Sequence, residues 1–223
     1  MKWLFKWLLR LVLVLVALLM LLLVCKDSLL RLLAQQRIRS QTGMDVEIGK
    51  FSSGIFSPVV TIENLKLYNT AEFGGTLFLA VPEIHFELDP GDLVHHRIHV
   101  TLMRFNLAEL DVVRNEMGQT NFVGILNHAR TKTTGRSDLR KVLQGFQFTG
   151  IDVLNLTFGK AKFTDLKDAR NNREISVNLQ DQIFKNVKSK QDLSGILFMI
   201  WLRSGGNFSF APTKLTSISA AKP

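Results

Sequence analysis

The chain has 223 residues, one cysteine (Cys25) and a formal net charge of +9. A single cysteine excludes an intramolecular disulfide and a cysteine-based zinc site, so any domain here folds by burial alone. The positive charge invites a nucleic-acid reading, but it is unevenly laid out: residues 1–43 hold seven Lys/Arg against one acid, 44–129 five against eleven, and 130–223 sixteen against seven. No nucleic-acid-binding motif is legible in the basic parts, so no nucleic acid is expected as a partner. The basic N-terminal flank fits anionic headgroups instead.

Residues 11–25 carry no charge and no strongly polar group, and Lys2, Lys6 and Arg10 precede them. Counted back to Trp7, the apolar stretch is interrupted only by Arg10. A helix needs roughly 20 such residues to cross the hydrocarbon core. Arg10 lies near one end, from where its side chain reaches the headgroups, and Trp3 and Trp7 suit the interface. A signal-peptide cut needs small residues before it. Here Leu22, Leu23, Val24 and Cys25 are bulky, which favours an uncleaved anchor. A lipoprotein with Cys25 lipidated and a cleaved signal are the alternatives. The cation-rich start is expected to stay cytoplasmic. Lys26, Arg31, Arg37 and Arg39 weaken that bias from the far side. The organisation read from this is a cytoplasmic N-terminus over 1–10, a span over 7–26, a juxtamembrane stalk over 27–43, a domain over 44–211 and a tail over 212–223.

In the stalk Leu29, Leu30, Leu32 and Leu33 continue a helical apolar pattern toward Ile38. The texture then changes to short alternating segments at 46–51, 59–69, 77–89 and 97–114. Ile84, Phe86 and Leu88 alternate with His85, Glu87 and Asp89, and Ile98, Val100 and Leu102 with His99, Thr101 and Met103. That is the period of a sheet with one apolar and one wetter face. The parity slips near Asn64 and Arg104, which reads as bulges. Further along come a turn at 115–118, a short helix at 122–130 capped by Asn121, a polar loop at 131–136 and a second short helix at 137–144. Strands are expected again at 146–156, 157–166 and 174–180, and a helix at 191–203. The class is α+β, antiparallel strands with peripheral helices.

The sequence offers little chemistry. His85, His95, His96 and His99 fall within fifteen residues, yet no convergent third and fourth ligand is evident, with Glu83 and Glu87 only distant candidates, so no metal is expected. There is no G-x-S-x-G or S-x-x-K nucleophile motif, and Gly74–Gly75 and Gly205–Gly206 match no phosphate-binding loop. No enzymatic activity and no cofactor are expected. The apolar helix around 193–201 is read as packing on the sheet, with a membrane or a partner as the alternative.

One block is specific. It reads PVVTIENLKLYN at 58–69, LFLAVPEIHFELD at 77–89 and RIHVTLMRFNLAELDVVRNEMGQTN at 97–121. This resembles the N-terminal module of the AsmA-like proteins, relatives of TamB and of chorein-type lipid-transfer proteins. Val60, Ile62, Asn64, Leu65, Leu67 and Asn69 fit that family's first strand. Val81, Glu83, Ile84, Phe86, Leu88 and Asp89 fit the second, and Leu93, Val94, Arg97 and Ile98 the short turn after it. Gly118, Thr120 and Asn121 fit its closing turn, with Glu116–Met117 where the family usually has an acid beside the glycine. The resemblance implies an N-terminal transmembrane helix followed by a curved, mainly antiparallel groove with an apolar concave face. It implies a bacterial inner-membrane location, the domain in the periplasm, and phospholipid handling or support of outer-membrane assembly through the groove. Lipid-facing candidates are then Val60, Ile62, Ile84, Phe86, Leu88, Ile98, Val100 and Leu102. Expected partners are the phospholipid bilayer, individual phospholipids and another envelope protein. The alternative is a non-catalytic scaffold that recruits such a protein. Family members that bridge an envelope are far longer. About eight strands are expected here, a groove of some 40 Å at about 4.8 Å per strand.

Overall fold

The computed structural model describes residues 2–55, 57–125 and 145–203. The expected segments at 126–144 and 212–223 lie outside them; residues 121–125 are helical, but Thr120 rather than Asn121 holds the capping position, its carbonyl accepting from Val123 and Gly124 N–H. The first element, α1 (Lys2–Thr42), is one unbroken helix. Its sequence has no Gly or Pro before Gly43, which takes φ 72° and ends it. Residues Lys6–Thr42 are long and apolar enough to cross a membrane. The helix measures about 60 Å at about 1.5 Å per residue, twice the roughly 30 Å hydrocarbon core.

Six strands follow: β1 (Asp45–Ser53), β2 (Val59–Tyr68), β3 (Leu77–Leu88), β4 (Arg97–Arg114), β5 (Gln147–Asp165) and β6 (Arg173–Val187). A short helix α2 (Pro90–Val94) joins β3 to β4, and α3 (Lys190–Arg203) follows β6. The strands form one open sheet in sequence order, antiparallel throughout except for the parallel pair β4 and β5. The α+β class stands, with a long N-terminal helix, an open mixed sheet and short helices. The strand number is a correction: the segments expected at 146–156 and 157–166 are one strand, β5. The sheet therefore spans about 24 Å, five spacings of about 4.8 Å, rather than some 40 Å.

Two lines of parity shift cross the sheet. On the first, apolar residues step by three positions instead of two on adjacent strands: Leu65 and Ile62, Val81 and Ile84, Leu110 and Leu107, Ala161 and Phe158. Asn64 (φ 55°) makes the shift in β2, and β6 takes up an extra residue around Asn178 (φ 48°). The backbones approach closely along this line. A Cβ on Gly159 would lie 2.6 Å from the Ala108 carbonyl oxygen, and one on Gly49 would lie 2.9 Å from the Asn64 Cβ. On the second line Val100 and Met103, Ile151 and Leu154, and Val187 and Phe184 step by three, with Asn186 at φ 58°. Regular pleating would send half of each long strand's apolar set to the wrong face. The two shifts keep that set on one face and curve the sheet.

Candidate functional site

The C-terminal half of α1 is folded onto the sheet rather than standing as a separate stalk. It runs antiparallel to β1 and closes that strand's outer edge. Lys26 Nζ donates to the Ser53 carbonyl oxygen and, at 2.9 Å, to Ser53 Oγ. Asp27 Oδ1 accepts from Ser53 N–H at 3.1 Å and Ser53 Oγ at 2.8 Å. Arg31 Nη1 donates to the Gly49 carbonyl at 2.9 Å, and Arg39 pairs with Asp45 at 3.1 Å. Side chains thus satisfy edge groups that would otherwise invite another strand. Ala34 and Ile38 turn inward onto the apolar face.

At the far side α3 lies over the same face, with Ile196 buried and Met199 and Ile200 packed against the core. Between α1 and α3 two rows run across the strands. Val60, Phe86, Met103, Leu154 and Phe184 make one, and Ile62, Ile84, Phe105 and Leu156 the other. Apart from buried Leu154 these side chains are only partly buried. Where β6 meets α3 lies an open hollow of about 400 Å³ lined by apolar Phe184, Val187, Ile196 and Met199 and by polar Lys185, Asn186 and Asp192.

Of the eight candidates from sequence, Val60, Ile62, Ile84 and Phe86 lie on this strip. Leu88, Ile98 and Val100 share the face but lie outside the two rows, in the same apolar cluster as Met103, Leu154, Leu156, Phe184 and Ile196 of α3. Leu102 does not share it: its cross-strand neighbours are Glu87 and Val153, and Lys185 follows in the same row. The slip expected near Arg104 falls at Thr101, whose hydroxyl donates to the Glu87 carbonyl at 3.2 Å. Met103 therefore takes the apolar position. Sequence reading also left out Phe105, Leu154, Leu156 and Phe184, which alternation marks as apolar but only the cross-strand register joins into rows. Helix α3, expected to pack on the sheet with a membrane or a partner as the alternative, does pack through Ile196, Met199 and Ile200 and leaves Leu193, Leu197 and Leu202 exposed on its outer side.

The opposite face is polar and cross-linked. Glu63 pairs with Lys50 at 2.9 Å, Glu83 with Arg104 at 2.9 Å, and Glu109 with Lys162 at 2.7 Å. The Lys162 hydrogen bond is the main reason the Glu109 carboxyl titrates below its ordinary range. His85 and His99 lie on this face but are not brought together. His85 contacts Thr61 Oγ1 through Nδ1 (2.8 Å) and Glu87 through Nε2 (2.9 Å); His99 contacts Thr149 Oγ1 (3.1 Å) and Asp152 (2.9 Å) in the same way. Each imidazole ties neighbouring strands. His95 Nδ1 bonds the Gly91 carbonyl at 2.8 Å, and the His96 ring lies tilted against Phe146 with centroids 5.2 Å apart. Among the described residues no three His, Cys, Asp or Glu side chains are grouped to hold a metal ion.

At the end of the sheet where α1 stops, Asn121 is fully buried. Its Nδ2 donates to Asn69 Oδ1 and to the Asp111 carbonyl, both at 2.9 Å, and its Oδ1 accepts from Phe122 N–H at 3.1 Å. Asn115 beside it donates to Glu72 at 2.9 Å and accepts from Gln119 N–H at 2.9 Å. Asn69 and Asn121, which carry much of the sequence resemblance, are thus structural ties between the β2–β3 and β4 turns.

Fold and site together define a class: an open mixed sheet with a part-exposed apolar strip, clamped along one edge to a helix of membrane-spanning length. No family model, no curated protein and no solved structure matches this chain.

Proposed function

We propose that this chain is a membrane-anchored lipid-handling protein of the bacterial inner membrane, with its N-terminus cytoplasmic and its sheet in the periplasm. Phospholipid acyl chains lie along the apolar strip between α1 and α3. The observation that carries this reading is the strip itself, two rows of apolar side chains left partly uncovered beside the helix suited to the membrane. A sheet built only as a scaffold gains nothing from leaving Phe86, Met103 and Phe105 only partly covered, since covering apolar surface contributes about 25 cal/mol per Å². The longer row covers four strand spacings from β2 to β6, about 19 Å, and the shorter three, about 14 Å. One leaflet's acyl layer is about 15 Å deep, half of a roughly 30 Å core. The strip thus suits the tails of one lipid, not a conduit across an envelope. The resemblance of residues 58–121 to AsmA-like modules points the same way.

Neighbouring residues on β3 provide the test, because they face opposite ways. A photoreactive side chain placed at Ile84 in the full membrane-embedded chain is expected to give phospholipid adducts, and one at His85 none. Equal labelling at both, or none at Ile84, overturns the reading.

A second reading is recruitment of another envelope protein. It is favoured by one observation: α1 seals the β1 edge, and β6 forms the other edge of the sheet. Charge reversal on the 130–223 half then removes a captured partner and leaves bound lipid unchanged.

A further inference from the structure

We infer that the β1–β2 turn and the neighbouring strand ends form a rim that sits in the bilayer interface, with Ile55, Val94 and Phe148 in contact with lipid. The inference rests on α1 crossing the membrane, as proposed above, but not on lipid occupying the strip.

The argument begins at Lys26 and Asp27, the first charged residues after the apolar run. A span of roughly 20 residues beginning near Trp7 places them at headgroup depth. Both are bonded to Ser53, the last residue of β1. Because β1 runs antiparallel to α1, the chain at Ser53 is heading toward the membrane. The turn that follows is tightly built. Gly54 N–H donates to the Val59 carbonyl at 2.8 Å, and a Cβ on Gly54 would lie 2.1 Å from the Ser57 carbonyl oxygen. Turns facing water favour Gly, Asn, Asp, Pro and Ser at such positions. Here the residue after Gly54 is Ile55, 55% exposed.

Hydrogen bonds continue the rim sideways. Leu88 N–H donates to the Pro58 carbonyl at 3.0 Å, joining the turn to the end of β3, and Gln147 N–H donates to the His96 carbonyl at 2.9 Å, joining the end of α2 to the start of β5. Val94 and Phe148, 76% and 54% exposed, stand on these two segments. Isolated exposed apolar residues carry no message. Three on successive segments, at the end of the sheet from which the span departs, fit the headgroup–acyl boundary, where such side chains are stable.

The test uses the full chain with Cys25→Ser, reconstituted into phosphatidylethanolamine–phosphatidylglycerol vesicles. Single cysteines replace Ile55, Val94, Phe148 or Met117, each carrying an environment-sensitive fluorophore. Met117 is exposed at the opposite end of the sheet. Retained β-sheet circular dichroism marks the variants that fold. Labels at 55, 94 and 148 are expected to emit at shorter wavelength and to lose fluorescence to spin-labelled lipid, while the label at 117 responds to aqueous iodide. Iodide quenching at 55 equal to that at 117 overturns the inference, as does protection at 55 that needs an added protein rather than lipid. Lipid-depth quenching at 55 with no phospholipid adduct at Ile84 separates a failed strip from a sound rim, and the reverse result separates a failed rim from a sound strip.

Discussion

Replacing Asn121 with Ala is expected to destabilise the sheet without touching the apolar strip. Asn121 makes three hydrogen bonds, and its side chain is fully buried. A typical intramolecular hydrogen bond contributes about 1 kcal/mol net, and a buried acceptor left without its donor costs about 1–3 kcal/mol. Alanine removes all three bonds and strands Asn69 Oδ1 and the Asp111 carbonyl. The sum is about 4 kcal/mol, a large part of the roughly 5–15 kcal/mol that holds a domain folded. For a chain of this size that corresponds to a fall of about 10 °C in Tm. The assay is thermal unfolding of the full chain in mild detergent, followed by the β-sheet circular dichroism signal. Asn69→Ala supplies a cycle. Because Asn121→Ala already strands Asn69, the double variant should lose clearly less than the two single losses added together. A fall of only one or two degrees for Asn121→Ala, or strict additivity with Asn69→Ala, refutes the argument that this asparagine pair ties the two turns.

Three further substitutions address the close approach at Gly159, a helical glycine as its contrast, and the buried charge. Gly159→Ala forces a Cβ to within 2.6 Å of the Ala108 carbonyl oxygen, and is expected to cost about 1–3 kcal/mol as overpacking against backbone. Gly195→Ala in α3, where a Cβ meets nothing within 4 Å, should stabilise by about 1 kcal/mol through helix propensity. Urea midpoints that move in the same direction for both would defeat the close-approach account. Asp111 is buried and accepts from Thr164 Oγ1 at 2.9 and 3.1 Å; burial, the larger effect, pushes its carboxyl above the ordinary 3.8. A raised folded pKa stabilises the protein below the unfolded value and loses that contribution as pH rises through the folded one. Asp111→Asn should therefore melt higher than the parent at pH 7, with the gain shrinking below pH 3.8, and parallel melting curves across that range would contradict the burial argument.

The sheet was legible in the sequence because alternation is a local signal. Ile84, Phe86 and Leu88 against His85, Glu87 and Asp89 give the face and the strand together. The parity slip at Asn64 was legible too, since a polar residue that tolerates positive φ interrupts an apolar pattern there, but it is a change of face and not the expected bulge: Glu63 faces Glu83 and Leu65 faces Val81 with no extra residue between. The bulge at Thr101 was displaced by three residues, because both Leu102 and Met103 are apolar and only pairing with Glu87 decides between them. The parallel pairing of β4 with β5 had its signal in the long connection from 115 to 146, for parallel neighbours need a crossover of a dozen or more residues. The break expected between residues 156 and 157 falls inside β5, and nothing local marks Gly159 as a glycine required by a carbonyl on the next strand. Lys26, Arg31 and Arg39 read as charges opposing the orientation rule. In the fold they are bonded to β1, so their number reflects the closure of a strand edge.

That closure bears on how the strip would work. A flexible stalk would let the sheet sample many orientations over the bilayer, and lipid capture would be limited by how often the strip faced the surface. Here α1 passes without a break from its apolar run to the β1 edge, and at least four polar contacts from Lys26 to Arg39 fix its rotation. On the lipid-handling proposal, the angle between strip and membrane is therefore set by the fold rather than by diffusion. The strip then gains its orientation from residues that lie outside it. Cutting that coupling by Lys26→Ala with Arg31→Ala should then lower lipid adducts at Ile84 while the anchor still holds the protein in the membrane. Unchanged adducts with a freed helix would mean that the strip loads in any orientation and that the clamp serves only to protect the β1 edge.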